Sequence, residues 1–141
     1  MTLFITVLIG VSVFVISQYF LKLVLEPITR VRRAKADVAS TVLFRQRKIS
    51  NATHDLETSD ELRRASSQLR ASVSEVCCYS FWSRLGLFGI PTRSDARNAC
   101  RCLNLMAGNA DEGCKERGSL VEMNSRALDE LGKFLRIETR Y

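Results

Sequence analysis

The feature that most constrains this chain is an apolar segment at its N-terminus. No charged side chain occurs from Met1 to Leu21, and 18 of the first 26 residues are hydrophobic, against 47 of the remaining 115. A bilayer's hydrocarbon core is about 30 Å thick, and roughly 20 apolar residues cross it as a helix. An isolated strand would leave its backbone groups unpaired in lipid. Residues 1–27 are therefore predicted to form a transmembrane anchor.

This segment is predicted to be retained rather than cleaved. It lacks the charged n-region and the small-residue cleavage site of a secretory signal peptide. No lysine or arginine precedes it, whereas four basic residues follow shortly after it: Arg30, Arg32, Arg33 and Lys35. Positively charged flanks remain on the inner side of a membrane. We therefore expect a single-pass protein of the inner (plasma) membrane, with its N-terminus outside and its C-terminal part in the cytoplasm.

The net charge of the chain comes from one short stretch. Residues 28–48 hold seven lysines and arginines and one acidic residue, a net charge of +6, which equals that of the whole chain. Residues 28–50 are predicted to form a basic juxtamembrane helix. Its first basic residues are expected to contact the anionic headgroups of the inner leaflet: Arg30, Arg32, Arg33 and Lys35.

The basic residues further along this stretch leave alternatives open. Arg45, Arg47 and Lys48 would lie about 20–30 Å beyond the others in a continuous helix, outside the lipid field. A protein partner or a nucleic acid are the remaining candidates for them. Outside residues 28–48 the chain balances at 14 basic against 14 acidic residues. The protein as a whole is therefore not expected to bind nucleic acid.

One face of the predicted span carries small residues. Thr6, Gly10, Val13 and Ser17 follow one another at spacings of four, three and four, which places them on one side of a helix. Small residues on a shared face allow two membrane helices to approach closely. This face is a candidate packing surface, although small residues are also common in membrane helices without such a role.

Beyond the span, the spacing of apolar residues is helical. The first helix is predicted to reach about Ile49, and Pro27 either kinks it or lies in its first turn. Its apolar positions are Ile28, Val31, Val38, Val42 and Ile49, with Ala34 and Ala39 between them. The pattern from Thr58 to Glu61 is a capping box, with Ser59 an alternative cap, and predicts a second helix that ends near Tyr79. Its stripe consists of Leu62, Ala65, Leu69, Val73 and Val76.

Two further helices are predicted towards the C-terminus. Thr92 or Ser94 is expected to cap the first of them, with an apolar face of Ala96, Ala99, Cys100, Leu103 and Ala107. A loop is expected from Gly108 to Gly113. The last helix is predicted from Lys115 to Ile137, with a face of Leu120, Met123, Ala127, Leu131 and Phe134.

These patterns predict an all-α protein. Residues 51–141 are expected to form a small cytoplasmic helical domain, a hairpin or bundle of three to four helices. A bundle of this size is marginally stable alone, so oligomerisation is a reasonable source of further stability.

An aromatic cluster separates the second helix from the third. Its large side chains either fill the core of the bundle or form a surface for a partner or the membrane. The residues of this candidate partner surface are Phe81, Trp82, Leu85, Leu87 and Phe88.

No catalytic, cofactor or metal site is predicted. The five cysteines stand at positions 77, 78, 100, 102 and 114, spacings that do not match a zinc site, and disulfides are unusual in the cytoplasm. The single histidine, His54, lies in a polar loop without a recognisable nucleophile. Gly86 and Gly89 lack the Lys-Ser/Thr of a phosphate loop. We therefore expect neither an enzyme nor a cofactor-dependent protein.

The layout resembles that of uncharacterised small bacterial single-pass membrane proteins with a cytoplasmic helical domain. The resemblance covers residues 1 to about 110. It is carried by Leu25-Glu26-Pro27 with Arg32-Arg33, by the stretch from Leu62-Arg63-Arg64 to Leu69-Arg70-Ala71, by the aromatic turn ending at Pro91, and by the helix from Ala96 to Asn109. Cys77-Cys78 and the final helix depart from it. It implies a bacterial membrane protein and no activity.

The sequence thus predicts a membrane-anchored interaction or scaffold protein. It would act by self-association or by recruiting a membrane or cytoplasmic protein to the inner membrane face. The alternative is a membrane-active effector whose transmembrane helices oligomerise and permeabilise the bilayer.

Overall fold

The computed structural model describes residues 1–76, 79–85, 89–111, 117–137 and 139, with the side chains of Phe81, Arg84, Leu85 and Arg117 left out. Every regular element in these ranges is helical, and none is a strand. The helices are α1 (Thr2–Phe20), α2 (Glu26–Ser50), α3 (Leu56–Glu75), α4 (Tyr79–Leu85), α5 (Arg93–Asp111) and α6 (Arg117–Leu135). A π-helical segment, Leu21–Leu25, joins α1 to α2 without a break.

Pro27 explains where this long helix changes its hydrogen-bonding pattern. Proline has no N–H to donate to the carbonyl four residues earlier, and its ring crowds that carbonyl. In the turn just before it, the Glu26 N–H donates to the carbonyl of Leu21, five residues back. This wider turn accommodates the proline while the helix continues. Pro27 therefore lies within one continuous helix that includes α1 and α2.

Four helices form an antiparallel bundle, which confirms the prediction of an all-α bundle. Helix α3 packs against α2 and α5, and α6 packs against α5 and, over a smaller area, α2. Arg30 pairs with Glu75 and Arg45 pairs with Glu61, so α2 and α3 run in opposite directions. The Asn124 Nδ2 donates to the Ile49 carbonyl over 2.8 Å and closes the bundle between α6 and α2.

The core consists largely of the predicted stripes. All five predicted apolar positions of α2 are buried, and so are the stripe of α3 with Val76 and the predicted face of α5. In α6 the buried residues are Asn124, Ala127, Leu128, Leu131 and Leu135. Met123, predicted on that face, is 42% exposed, because Asn124 takes the inward position of that turn.

The predicted capping box at Thr58 and Glu61 is wrong. Helix α3 begins at Leu56 after Asp55, whose backbone is extended, and Thr58 is buried within the first turn. The Thr58 hydroxyl donates to the Asp55 carboxylate instead of capping a backbone N–H. Asp55 is itself a preferred residue at a helix start, so the helix gains a turn upstream of the predicted boundary.

The other boundaries are closer to the expectation. Thr92 caps α5, since its hydroxyl accepts a hydrogen bond from the Asp95 N–H over 3.1 Å. The loop predicted from Gly108 is wrong up to residue 111, because α5 continues through Gly108 to Asp111. Burial of Met106, Ala107 and Ala110 around that glycine offsets its cost of about 1 kcal/mol in a helix. Residues 112–116 lie outside the described ranges.

Candidate functional site

The apolar helix α1 buries none of its side chains against the bundle. None of its residues is buried, and it is long and apolar enough to cross a membrane. The small-residue face is equally uncovered, and a Cβ added to Gly10 would meet nothing within 4 Å. The Thr6 hydroxyl donates to the Thr2 carbonyl and the Ser17 hydroxyl to the Val13 carbonyl, at 3.0 and 2.8 Å. The polar groups of this face are thus satisfied within the helix itself.

Helix α1 meets the bundle at a small aromatic contact. The rings of Phe20 and Trp82 stand edge to face, with centroids 6.2 Å apart and planes inclined by 70°. Trp82 and Val24 are half-buried and pack against the core. Helix α4 therefore lies beside the C-terminal end of α1, where the apolar segment of the long helix ends. We call this junction of α1, α2, α4 and the end of α3 the membrane-proximal end.

A buried tyrosine fixes the chain on either side of α4. The Tyr79 side chain is buried, and its hydroxyl donates to the carbonyl of Pro91, which precedes α5. Burial raises the pKa of Tyr79 to about 12. The Arg93 guanidinium lies over the same ring, 5.9 Å from its centroid.

The candidate partner surface is only partly described. Trp82 contacts both the core and Phe20, so it does not present a free face. Phe81 and Leu85 belong to α4, with side chains outside the description, and Leu87 and Phe88 lie outside the described residues. Whether the cluster recruits a partner stays a prediction.

The four predicted headgroup residues differ in their surroundings. Arg30 donates to Glu26 and Glu75, each over 2.9 Å, and these two carboxylates raise its pKa. Arg32 and Arg33 are exposed, and neither has a carboxylate within 4.0 Å among the described residues. Lys35 is half-buried, and its pKa is lowered by burial and then by the positive charges of Arg136 and Arg32.

Two of the three outer basic residues, Arg45 and Lys48, are paired within the chain, whereas Arg47 is exposed. Arg45 makes two hydrogen bonds of 2.8 Å to the Glu61 carboxylate and lies 3.0 Å from Glu57, and its side chain is only 11% exposed. These carboxylates raise the pKa of Arg45. The Lys48 Nζ lies 2.6 Å from Asp55, and Lys48 followed by Thr58 lowers the pKa of Asp55 to about 2. The charges of Arg45 and Lys48 are thus compensated by carboxylates of the same chain.

The described cysteines are packing residues. Cys100 and Cys102 are buried, and burial raises the pKa of both thiols, that of Cys102 to about 11. Among the described residues, no group of three or more His, Cys, Asp or Glu side chains is arranged to hold a metal. His54 is exposed, with its Nδ1 3.1 Å from the Ala110 carbonyl oxygen.

Sequence reasoning missed a basic cleft between α3 and α5. It has a volume of about 490 Å³ and is lined by four arginines, Arg70 from α3 and Arg93, Arg97 and Arg101 from α5. We call it the arginine cleft. The spacing of four between the α5 arginines is visible in the sequence and predicts one helix face. The contribution of Arg70 depends on how α3 packs against α5.

Comparison with known proteins gives no relative: no match is found among protein families, characterised proteins or solved structures.

Proposed function

We propose that this protein is a single-pass membrane-anchored interaction or scaffold protein. Helix α1 crosses the inner membrane, and the four-helix bundle stands at its cytoplasmic face, where it self-associates or recruits a protein partner.

One observation carries the proposal: the bundle is closed without α1. The core is formed by α2, α3, α5 and α6 together with Tyr79 and Ile90. Helix α1 leaves its apolar side chains uncovered on all sides, with Leu8, Val13 and Ile16 more than half exposed. In water such a surface is unfavourable by roughly 25 cal/mol per Å² of apolar area. A bilayer removes this cost, because lipid surrounds the helix and its backbone is already fully hydrogen-bonded.

The membrane-proximal end supports the same arrangement. Tyr19 lies in the last turn of α1 and Lys22 one turn later, both exposed. Aromatic and lysine side chains at the end of a span favour the interface between lipid and water. Arg32 and Arg33 follow on the exposed side of α2, where their unpaired charges can attract anionic headgroups.

The anchor is tested by introducing charge into exposed apolar positions. The double variant I9K/V13K places two lysines within α1, at a cost of about 2.5–3.5 kcal/mol each if the helix is in lipid. The matched control F44K/L56K places two lysines at exposed apolar positions of the bundle. We expect the wild type and the control to resist alkaline carbonate extraction from membranes, and I9K/V13K to be released. Equal behaviour of the two variants would contradict the anchor.

The interaction role is tested by native mass in mild detergent. We expect the full-length chain either to form an oligomer or to co-purify with a defined protein. A strict monomer without a partner would remove the scaffold role while leaving the anchor intact. Gly10→Leu and Phe44→Lys then distinguish self-association through the span from self-association through the bundle.

The effector alternative is separated by dye release from vesicles. It has one observation in its favour, the uncovered face around Gly10. Leakage that Gly10→Leu abolishes would favour the effector, whereas intact vesicles at high protein density would leave the scaffold proposal in place.

A further inference from the structure

The arginine cleft concentrates positive charge without compensation. Its four arginines are exposed, and none has a carboxylate within 4.0 Å among the described residues. The cleft's other lining residues are neutral: Val73, Ser74, Ala96, Cys100 and Asn104. Like charges so close together repel one another, so this arrangement favours an anionic ligand that neutralises them.

At the other end of the α3–α5 pair, an arginine does have a carboxylate partner. Where α3 and α5 meet further from α1, Arg63 lies 3.0 Å from the Asp111 carboxylate. Two arginines of α2, Arg30 and Arg45, also have glutamate partners on α3, although Arg32 and Arg33 of the same helix have none among the described residues. Three other helix contacts thus pair an arginine with a carboxylate, and no such pair occurs in the cleft among the described residues.

The shape of the cleft fits a ligand with several negative groups. Arg93, Arg97 and Arg101 repeat every four residues along α5, so they span about 12 Å. Arg70 faces them from α3 across a space of about 490 Å³, which is within the usual range for small-molecule sites. The guanidinium fork matches phosphate oxygens in a bidentate manner, and a phosphate offers three such acceptors. Cys100 and Val73 also line the cleft and are buried, so part of its lining is apolar.

The position of the cleft allows two sources for such a ligand. The pair of Arg30 and Glu75 sets the end of α3 about 8 Å beyond Leu25 along α2. Ser74 and Arg93 form the cleft at that level, close to the headgroup layer if α1 spans the membrane, and Arg101 lies further out in water. A lipid headgroup can therefore reach one end, and a soluble compound can enter from the other.

We propose that the arginine cleft is a binding site for a phosphate-bearing ligand with at least two phosphate groups. The ligand's phosphates lie along Arg93, Arg97 and Arg101, and Arg70 closes the site from α3. The site does not depend on the scaffold role, because it is formed by two helices of the bundle.

The test uses the full-length chain in nanodiscs of phosphatidylcholine, with inorganic triphosphate as the probe and calorimetric titration as the measurement. The cleft variant is R97Q/R101Q. The matched control is R47Q/R64Q, which removes the same charge from two exposed arginines outside the cleft. We expect saturable binding by the wild type and the control, and a loss of affinity of at least about tenfold in the cleft variant. Circular dichroism checks that both variants remain helical.

A second arm separates the two sources of phosphate. In it, the protein is purified from membranes, and the phosphorylated lipids that co-purify are quantified for the same variants. Lipid retention that falls only in R97Q/R101Q, without binding of triphosphate, assigns the site to a headgroup; binding of triphosphate assigns it to a soluble ligand. Absence of both, an equal loss in the two variants, or equally tight binding of citrate would overturn the proposal.

Discussion

The two halves of the long helix have opposite relations to the rest of the chain. Helix α1 has no buried residue, whereas α2 buries six, from Ile28 to Ile49. The helical backbone is continuous between them, so no loop separates the two halves. The difference lies in which side chains have a partner within the chain. The apolar side chains of α1 are exposed on all sides of the helix, while the apolar stripe of α2 is covered by α3 and α6.

The largest expected effect compares two isoleucines in this one helix. Ile28 is 1% exposed in the core and Ile16 is 66% exposed in α1. Ile28→Ala is expected to lower the free energy of unfolding of the bundle by about 2–5 kcal/mol, since it removes buried methyl groups and leaves a cavity. Ile16→Ala is expected to change it by less than about 0.5 kcal/mol. Urea unfolding in mild detergent, followed by the fluorescence of Trp82, measures both, and similar losses would contradict the division of the helix.

The next largest effect on stability is expected at the C-terminal end of α2, which a buried asparagine of α6 contacts. The Asn124 Nδ2 donates to the Ile49 carbonyl, and its Oδ1 accepts from the Asn109 Nδ2 over 2.7 Å. Asn124→Ala leaves both partners without this contact in a buried setting, so we expect a loss of about 1–3 kcal/mol. Asn104→Ala, at an exposed position of α5, serves as the matched control and should be nearly neutral. An equal effect of the two would mean that the buried amide does not secure α2 to α6.

Much of this division could be predicted from the sequence, because each half has a local signature. Apolar side chains on every side define α1, and spacings of three and four define the stripes of α2, α3 and α5. Leu62, Leu69 and Leu103 are buried as these spacings predict. The apolar stripe of a helix predicts which of its own residues are buried, without information about the neighbouring helices.

Features that depend on helix pairing could not be predicted in this way. The carboxylates that pair with Arg45 come from the first turns of α3, on the far side of a loop, so the spacing within α2 does not predict them. Arg70 joins the arginine cleft only through the packing of α3 on α5. Asn124 lies on an apolar face, and its burial depends on a carbonyl 75 residues earlier in the chain. Charged and polar contacts of this kind are set by register between helices, which a local pattern does not encode.

A smaller loss of stability is expected at acid pH, because the carboxylates of the ion pairs at the C-terminal end of α2 are then protonated. Lys48, followed by Thr58, holds the pKa of Asp55 at about 2, below its ordinary value of 3.8, and Arg45 lowers the pKa of Glu61. A carboxyl group whose pKa is lower in the folded state stabilises the fold above its unfolded pKa. That stabilisation is lost as the pH falls from about 4 to about 2. Urea midpoints measured across this range should therefore decline.

Substitution assigns this decline to its source. In Asp55→Asn, only the part of the decline that is due to Glu61 should remain, so the urea midpoint should depend less on pH than in the wild type. Asp60→Asn, at an exposed position in the same turn of α3, should retain the decline of the wild type. A decline that is unchanged in Asp55→Asn would show that the pairing with Lys48 contributes little to holding the end of α2 against α3.

The smallest effect is expected at the membrane-proximal end of α2. Arg30 pairs with Glu75 of α3 and Glu26 of its own helix, but all three side chains are about half exposed. Pairs in contact with solvent contribute little, and salt screens them further. Arg30→Gln should therefore destabilise the bundle less than Ile28→Ala or Asn124→Ala, and slightly more than Arg33→Gln, which removes an exposed arginine without a carboxylate partner among the described residues. The difference between the two should disappear in about 1 M salt. If the difference persists at high salt, the contact of Arg30 with Glu75 holds α3 to α2 by packing of the arginine stem rather than by charge.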